Sequence, residues 1–253
     1  MRFVYFVTSL FYTVVSRRAW QSQGNVLGIT ESGAWYISRK YKYVFDKTLA
    51  NALLVVFKGK SVLELGAGLG HYSKFLLSTG KLKALFSYDG VPDIQEVSRG
   101  LVHYADFTHS HNFSNVDWVL STEVGEHIPT RYQQQFLSNI IQPAKVGVVL
   151  SWAVPGQLGE GHVNCLPNHN IVQAMFQNGF CLLPRTSQAL RQTSSLPWFK
   201  RTIMVFSRGL SVERFLDLHF ARSILRFYGK RRKELCMYVN LSHCFHWKNV
   251  QAC

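Results

Sequence analysis

Three stretches of this chain gather residues capable of chemistry. Val62-Leu63-Glu64-Leu65-Gly66-Ala67-Gly68-Leu69-Gly70 sets glycines behind a short apolar run. Gly66 and Gly68 let the backbone turn tightly with no side chain to obstruct a ligand lying across it, and Gly70 admits close helix–strand packing. Asp89, with Gly90 after it, follows ~20 residues on, where an acid can take two ribose hydroxyls. The second stretch, Glu123-Val124-Gly125-Glu126-His127, offers two carboxylates and an imidazole. The third runs from Ser151-Trp152 through Gln157 to Gly161-His162-Val163-Asn164 and carries an indole, amides and an imidazole on a Pro/Gly-punctuated segment. Groups of these types can accept a proton or hold a polar substrate. They can equally cap a helix or tie a loop by surface hydrogen bonds.

The glycine spacing narrows the cofactor. Nicotinamide dinucleotide sites favour G-x-G-x-x-G and hold pyrophosphate on helix N-terminal amides. Here the run is G-A-G-L-G with Glu64 inside the strand ahead of it, and a carboxylate there opposes a pyrophosphate. A cofactor carrying an ammonium and a sulfonium suits it. S-adenosylmethionine fits that electrostatic pattern better than a dinucleotide.

Elements must place these residues together. Lys60–Leu65, Lys83–Tyr88, Leu101–Tyr104, Trp118–Ser121, Lys145–Ala153, Phe180–Leu183 and Thr202–Ser207 read as strands. His71–Ser78, Asp93–Arg99, Arg131–Ile141 and Ile171–Asn178 alternate with them as helices, which specifies an α/β fold with a parallel sheet. Ligands then bind beyond the carboxyl ends of the strands, where the three stretches fall. Phe45–Phe57 has helical periodicity, and the aromatic stretch including Trp35, Tyr36, Tyr41 and Tyr43 could lid a ligand. Ser194–Phe199 with Thr202–Ser207 reads as a last hairpin.

At these residues the sequence resembles the class I S-adenosylmethionine-dependent methyltransferases, over about Lys42 to Arg208. V-L-E-L-G-A-G-L-G looks like the family's first motif, Tyr88-Asp89-Gly90 like its ribose-binding acid, His103–Phe107 like its adenine segment, and Asp117–Val124 like its fourth motif. The resemblance implies a Rossmann-like, doubly wound, mostly parallel seven-stranded sheet with helices on both faces. It implies a cofactor site of Glu64, Gly66, Ala67, Gly68, Leu69, Gly70, Asp89, Gly90, Asp106 and Phe107. Catalytic candidates are Glu123, His127 and His162, and substrate contacts Trp152, Gln157 and Asn164. The expected organisation is an apolar N-terminal segment (1–20), a methyltransferase domain (31–208) and a basic extension (209–253).

Composition bounds the rest. The 253 residues are 47% hydrophobic and 17% charged, enough to bury a core. Lys+Arg 28 against Asp+Glu 14 gives +14, which steers partners without naming one. The longest basic run is Lys230-Arg231-Arg232-Lys233, so no specific nucleic acid is expected. The five cysteines include no C-x-x-C pair, which does not suggest a disulfide framework, and His243, Cys244 and His246 lack the second cluster of a zinc site. No metal is expected. Residues 3–16 read as a signal-peptide-like apolar stretch or a folded strand or helix, so a cytoplasmic location is favoured with a secretory or anchored form as the alternative. Phe215, Leu218, Ala221, Ile224, Leu225 and Tyr228 are helically spaced, giving a docked accessory helix or membrane-surface contact. The methyl acceptor is of unknown class. The competing functions are a dinucleotide-dependent oxidoreductase and a non-catalytic binding module with a basic tail.

Overall fold

A computed structural model describes residues 28–36, 43–209 and 213–227. The expectations on residues 1–20, on Tyr41, Tyr228 and the 230–233 basic run, and on the 243–246 cluster lie outside the described residues.

The chain opens its regular structure with α1 (Lys47–Phe57). Asp46 caps it, accepting from the Leu49 amide at 3.0 Å and the Thr48 hydroxyl at 2.6 Å. The alternation then runs β1 (Ser61–Leu65), α2 (His71–Ser78), β2 (Ala84–Asp89), α3 (Ile94–Val97), β3 (His103–Tyr104), β4 (Val116–Ser121), a 3-10 turn at Thr130–Tyr132, α4 (Gln133–Ile141) and β5 (Ala144–Leu150). It finishes with α5 (Asn168–Gln177), β6 (Phe180–Leu182), α6 (Pro184–Thr193), α7 (Phe199–Thr202), β7 (Met204–Arg208) and α8 (Glu213–Phe227).

These strands form one seven-stranded sheet in the order β3-β2-β1-β4-β5-β7-β6. β1 pairs in parallel with β2 and β4, β2 with β3, and β4 with β5, while β7 is antiparallel to both β5 and β6. The sheet is therefore mixed. Strand side chains alternate between its two faces. On one face Val62, Trp118, Leu120 and Val205 pack against Leu49, Leu53 and Phe57 of α1 and Leu190 of α6. On the other, Leu63, Leu65, Val119 and Val148 meet Phe136 and Ile140 of α4 and Met175 of α5.

One expected element is corrected. Residues 194–199 form no hairpin arm: Pro197 has no amide to donate to a ladder, and the Ser194 hydroxyl and Ser195 amide are taken by Asp46 at 2.6 and 2.7 Å. β7 pairs instead with β6, reached through α6 and α7. Of the extension, the described helix α8 follows the docked-helix reading, with Phe220, Ala221 and Ile224 buried in the core beside Trp118. Cys165 is a free thiol. Among the described residues no helix is long and apolar enough to cross a membrane.

Candidate functional site

The strand order reverses between β1 and β4, so the crevice beyond their carboxyl ends is left open by helices running to opposite faces. A cavity of about 690 Å³ lies there. Glu64, Gly66, Ala67, Gly68, Asp89, Gly90, Phe107, Glu123, His127, Gln157 and His162 all line it.

One wall is the bend after β1. Gly66, Gly68 and Gly70 have φ of 85°, 53° and 76°, a region that L side chains rarely adopt. The Gly66 and Ala67 amides both donate to the Tyr88 carbonyl, at 2.9 and 3.1 Å. The Gly68 amide donates to Asp89 Oδ2 at 2.6 Å, and Asp89 Oδ1 accepts from Val91 at 2.9 Å. The bend's own amides are thus consumed within the protein, and an acid closes the turn. Burial raises the Asp89 pKa against the opposing pull of the Gly68, Val91 and Gly90 amides. Glu64 is buried beneath the same bend and accepts from the Ser73 hydroxyl. Burial lifts its pKa to about 7; the Ser73 hydrogen bond opposes this and the Asp89 charge adds to it.

The opposite wall is the turn after β4. Glu123 has φ of 54°, strained for a residue with a Cβ, and its amide is pinned to Ser151 Oγ at 2.8 Å. Its carboxylate accepts from Gln157 Nε2 at 2.7 Å and Thr202 Oγ1 at 3.2 Å. The Glu126 carbonyl accepts from the Val163 and Asn164 amides, each at 2.9 Å, and so draws the 161–164 loop onto this turn. The His127 and His162 rings end 5.0 Å apart. Burial, followed by the neighbouring His162, lowers the His127 pKa to about 4, which keeps that imidazole neutral at ordinary pH. Glu126 is fully buried, and burial together with Glu123 raises its pKa well above the ordinary range.

Other sequence candidates fall elsewhere. Trp152 is wholly buried, donates to the Asn164 carbonyl at 2.6 Å and packs against Gly125; it shapes the turn from behind. Asn164 points to Thr130 and Gly125. Asp106 accepts from the Thr108 amide and hydroxyl at 2.9 and 2.7 Å and faces His109. Leu69 packs on the Val91, Ile94 and Val102 cluster, and Gly70 abuts Leu101 and Val102. None of these five lines the cavity.

The cavity also holds two residues of the aromatic stretch. Trp35 meets the His127 ring edge-on at 5.4 Å, and the Tyr43 ring lies over Gly68. The Tyr43 hydroxyl is buried without a hydrogen-bond partner, and its pKa is raised by burial and then by Asp89. The aromatic run hinted at a cover here. Nothing local marks Trp198 or Arg201, which tertiary packing brings to the rim.

The strand order, the reversed last strand and the glycine bend under an acid decide the architecture. The fold is a mixed seven-stranded α/β sheet with helices on both faces. No family model matches the chain, and no curated protein matches it. Among solved structures it is similar to magnesium protoporphyrin IX methyltransferase from Synechocystis PCC 6803 with bound SAH, at 18% identity and TM-score 0.49 over 64% of this chain and 83% of that one. The methyltransferase domain of bacterial CtHen1-C is similar at 18% identity and TM-score 0.47, covering 64% of this chain and 96% of that domain. An O-methyltransferase family protein from Burkholderia thailandensis has 12% identity and TM-score 0.47, covering 64% and 54%. The fold assignment rests on the strand order rather than on these likenesses.

Proposed function

We propose that this chain is an S-adenosylmethionine-dependent methyltransferase. The observation that carries the reading is the pairing of spent amides with buried acids at the bend. Gly66, Ala67 and Gly68 leave their N–H groups to Tyr88 and Asp89, so they offer no cradle to a pyrophosphate. Glu64 and Asp89 flank the same backbone. A ribose diol can donate to the free lone pairs of Asp89, and the cofactor's positive charge offsets the cost of ionising Glu64. Gly66, Ala67, Gly68 and Gly90 would give close backbone approach, and Phe107 an apolar wall for the adenine. The Tyr43 hydroxyl, lacking a partner, would find one in the cofactor. A dinucleotide-dependent oxidoreductase is disfavoured by the same acids and amides.

S-adenosylmethionine bound here would supply an electrophilic methyl group on a sulfonium, with S-adenosylhomocysteine as leaving group and the acceptor giving up its proton. Positioning supplies most of the acceleration in such an in-line displacement. Glu123, His127, Gln157 and His162 form the wall where the acceptor would meet the methyl group.

Calorimetry with S-adenosylhomocysteine tests the reading. Saturable binding to the wild type, weakened at least tenfold in Asp89→Ala, is expected. Absence of heat with wild type, or an Asp89→Ala variant that binds equally well, would overturn it.

A further inference from the structure

Glu126, His127 and His162 bring one carboxylate oxygen and two ring nitrogens within 4.8 Å of one another. Each imidazole is set for ligation. His127 Nδ1 lies 3.2 Å from the Gly161 carbonyl and His162 Nδ1 3.0 Å from the Gln157 carbonyl. A carbonyl only accepts, so both Nδ1 atoms carry the proton and both Nε2 atoms keep a lone pair. A backbone carbonyl holding the far ring nitrogen is the usual outer support of a metal-bound histidine. Glu126 supplies the second, independent sign. It is 0% exposed, and neither carboxylate oxygen has a partner in hydrogen-bonding geometry, although the Ala153 amide and the Glu123 carboxyl lie beside it. A buried carboxylate left so is costly unless something pairs with it.

The surrounding backbone is shaped to this trio. A Cβ on Gly159 would fall 2.1 Å from the His162 ring, one on Gly161 3.2 Å from His127 Nδ1, and one on Gly33 2.0 Å from the His127 carbonyl. The 159–161 loop thus packs on both rings, and Gly33 on the backbone of His127. His127 and His162 also line the cavity, so an ion between them would keep open coordination positions toward it, as catalytic metal sites do.

We propose that Glu126, His127 and His162 bind a divalent first-row metal ion through one carboxylate oxygen and two Nε2 atoms. Two imidazoles and one carboxylate select Mn²⁺, Fe²⁺, Co²⁺ or Zn²⁺ over Mg²⁺ or Ca²⁺, which prefer all-oxygen shells. The sequence reading assigned no metal here. Ion binding stands on this geometry alone; the ion's use, to hold an oxygen-bearing acceptor beside the methyl group, rests on the methyltransferase reading.

The full chain, stripped with chelator, is titrated with Mn²⁺ while free Mn²⁺ is followed by electron paramagnetic resonance, and Zn²⁺ is then added as competitor. About one equivalent bound and displaced by Zn²⁺ but not by millimolar Mg²⁺ is expected. Glu126→Gln and His162→Ala should each weaken binding at least tenfold, whereas Asp106→Asn should leave it unchanged. Circular dichroism and melting temperature confirm that the variants fold. Wild type that holds neither Mn²⁺ nor Zn²⁺, or binding that survives in folded Glu126→Gln and His162→Ala, overturns the proposal. Displacement by Mg²⁺ overturns the donor-set argument. Calorimetry with S-adenosylhomocysteine on the same preparation separates the two readings: cofactor without metal sinks only the ion site, and metal without cofactor sinks only the methyltransferase.

Discussion

Replacing Glu64 with Gln should stabilise this protein at alkaline pH while weakening its cofactor. Glu64 is 3% exposed and sits between the Ser73 hydroxyl and the Asp89 carboxylate. Its pKa rises from 4.5 in the unfolded chain to about 7 in the folded one. Both states hold the proton below the lower value, so the group is then neutral in its effect. Between 4.5 and about 7 the unfolded chain gives up this proton while the folded protein keeps it, so stability falls across that window and levels off once the folded acid ionises too. The rise from 4.5 to about 7 corresponds to about 3 kcal/mol above pH 7. Gln keeps the shape and an acceptor for Ser73 but cannot ionise. Urea denaturation of both proteins between pH 4.5 and 8.5 should give equal stabilities at the acid end. The variant should lead by up to about 3 kcal/mol at the alkaline end, or ~6–12 °C in melting temperature for a chain of this size. S-adenosylmethionine affinity should change in the opposite sense. A cationic ligand favours the ionised acid, so wild-type affinity should climb with pH toward 7 and level off, and Glu64→Gln should bind more weakly with no such rise. Parallel stability profiles across the whole range would refute the argument, because the acid would then not be desolvated as placed.

The remaining predictions concern the frame and the bend. Asp46 is buried, which alone would raise its pKa, but the Ser194 and Thr48 hydroxyls and the Leu49 and Ser195 amides hold it at about 2. Asp46→Asn should therefore lose about 2 kcal/mol at neutral pH, a gap that closes as pH falls from 4 through 2, measured by denaturant unfolding. Gly125→Ala places a Cβ 2.3 Å from the Trp152 ring and should cost ~1–3 kcal/mol by overpacking, visible as a lower melting temperature. Tyr43→Phe removes a buried hydroxyl without a partner; it should leave the ligand-free protein equally stable or ~1 kcal/mol more stable, yet weaken S-adenosylhomocysteine binding several-fold by calorimetry.

The parallel half of the sheet was legible because its strands are short apolar runs ended by glycine or acid, and period and punctuation are local properties. Gly66, Gly68 and Asp89 were legible for the same reason, since a positive φ and a post-strand acid leave their mark in residue type. Asp106 misled because a post-strand acid can serve its own turn as readily as a ligand, and here Thr108 takes it. Trp152 misled because a large aromatic in a glycine-rich segment reads alike whether it faces a substrate or the core. It went inward, where Gly125 leaves room for its ring.

Residue order alone established an α/β chain with a glycine bend, an acid one strand away and polar groups after the fourth and fifth strands. Tertiary structure decided which of those groups meet. Glu126 and His162 lie far apart in sequence, and hydrogen bonds between the two turns, from the 163 and 164 amides to the Glu126 carbonyl and from Gln157 to Glu123 among them, bring them together. The antiparallel seat of β7 and the docking of α8 were likewise settled by packing. Strand direction and helix docking depend on which apolar faces remain uncovered after the rest of the chain has folded, and no local pattern records that.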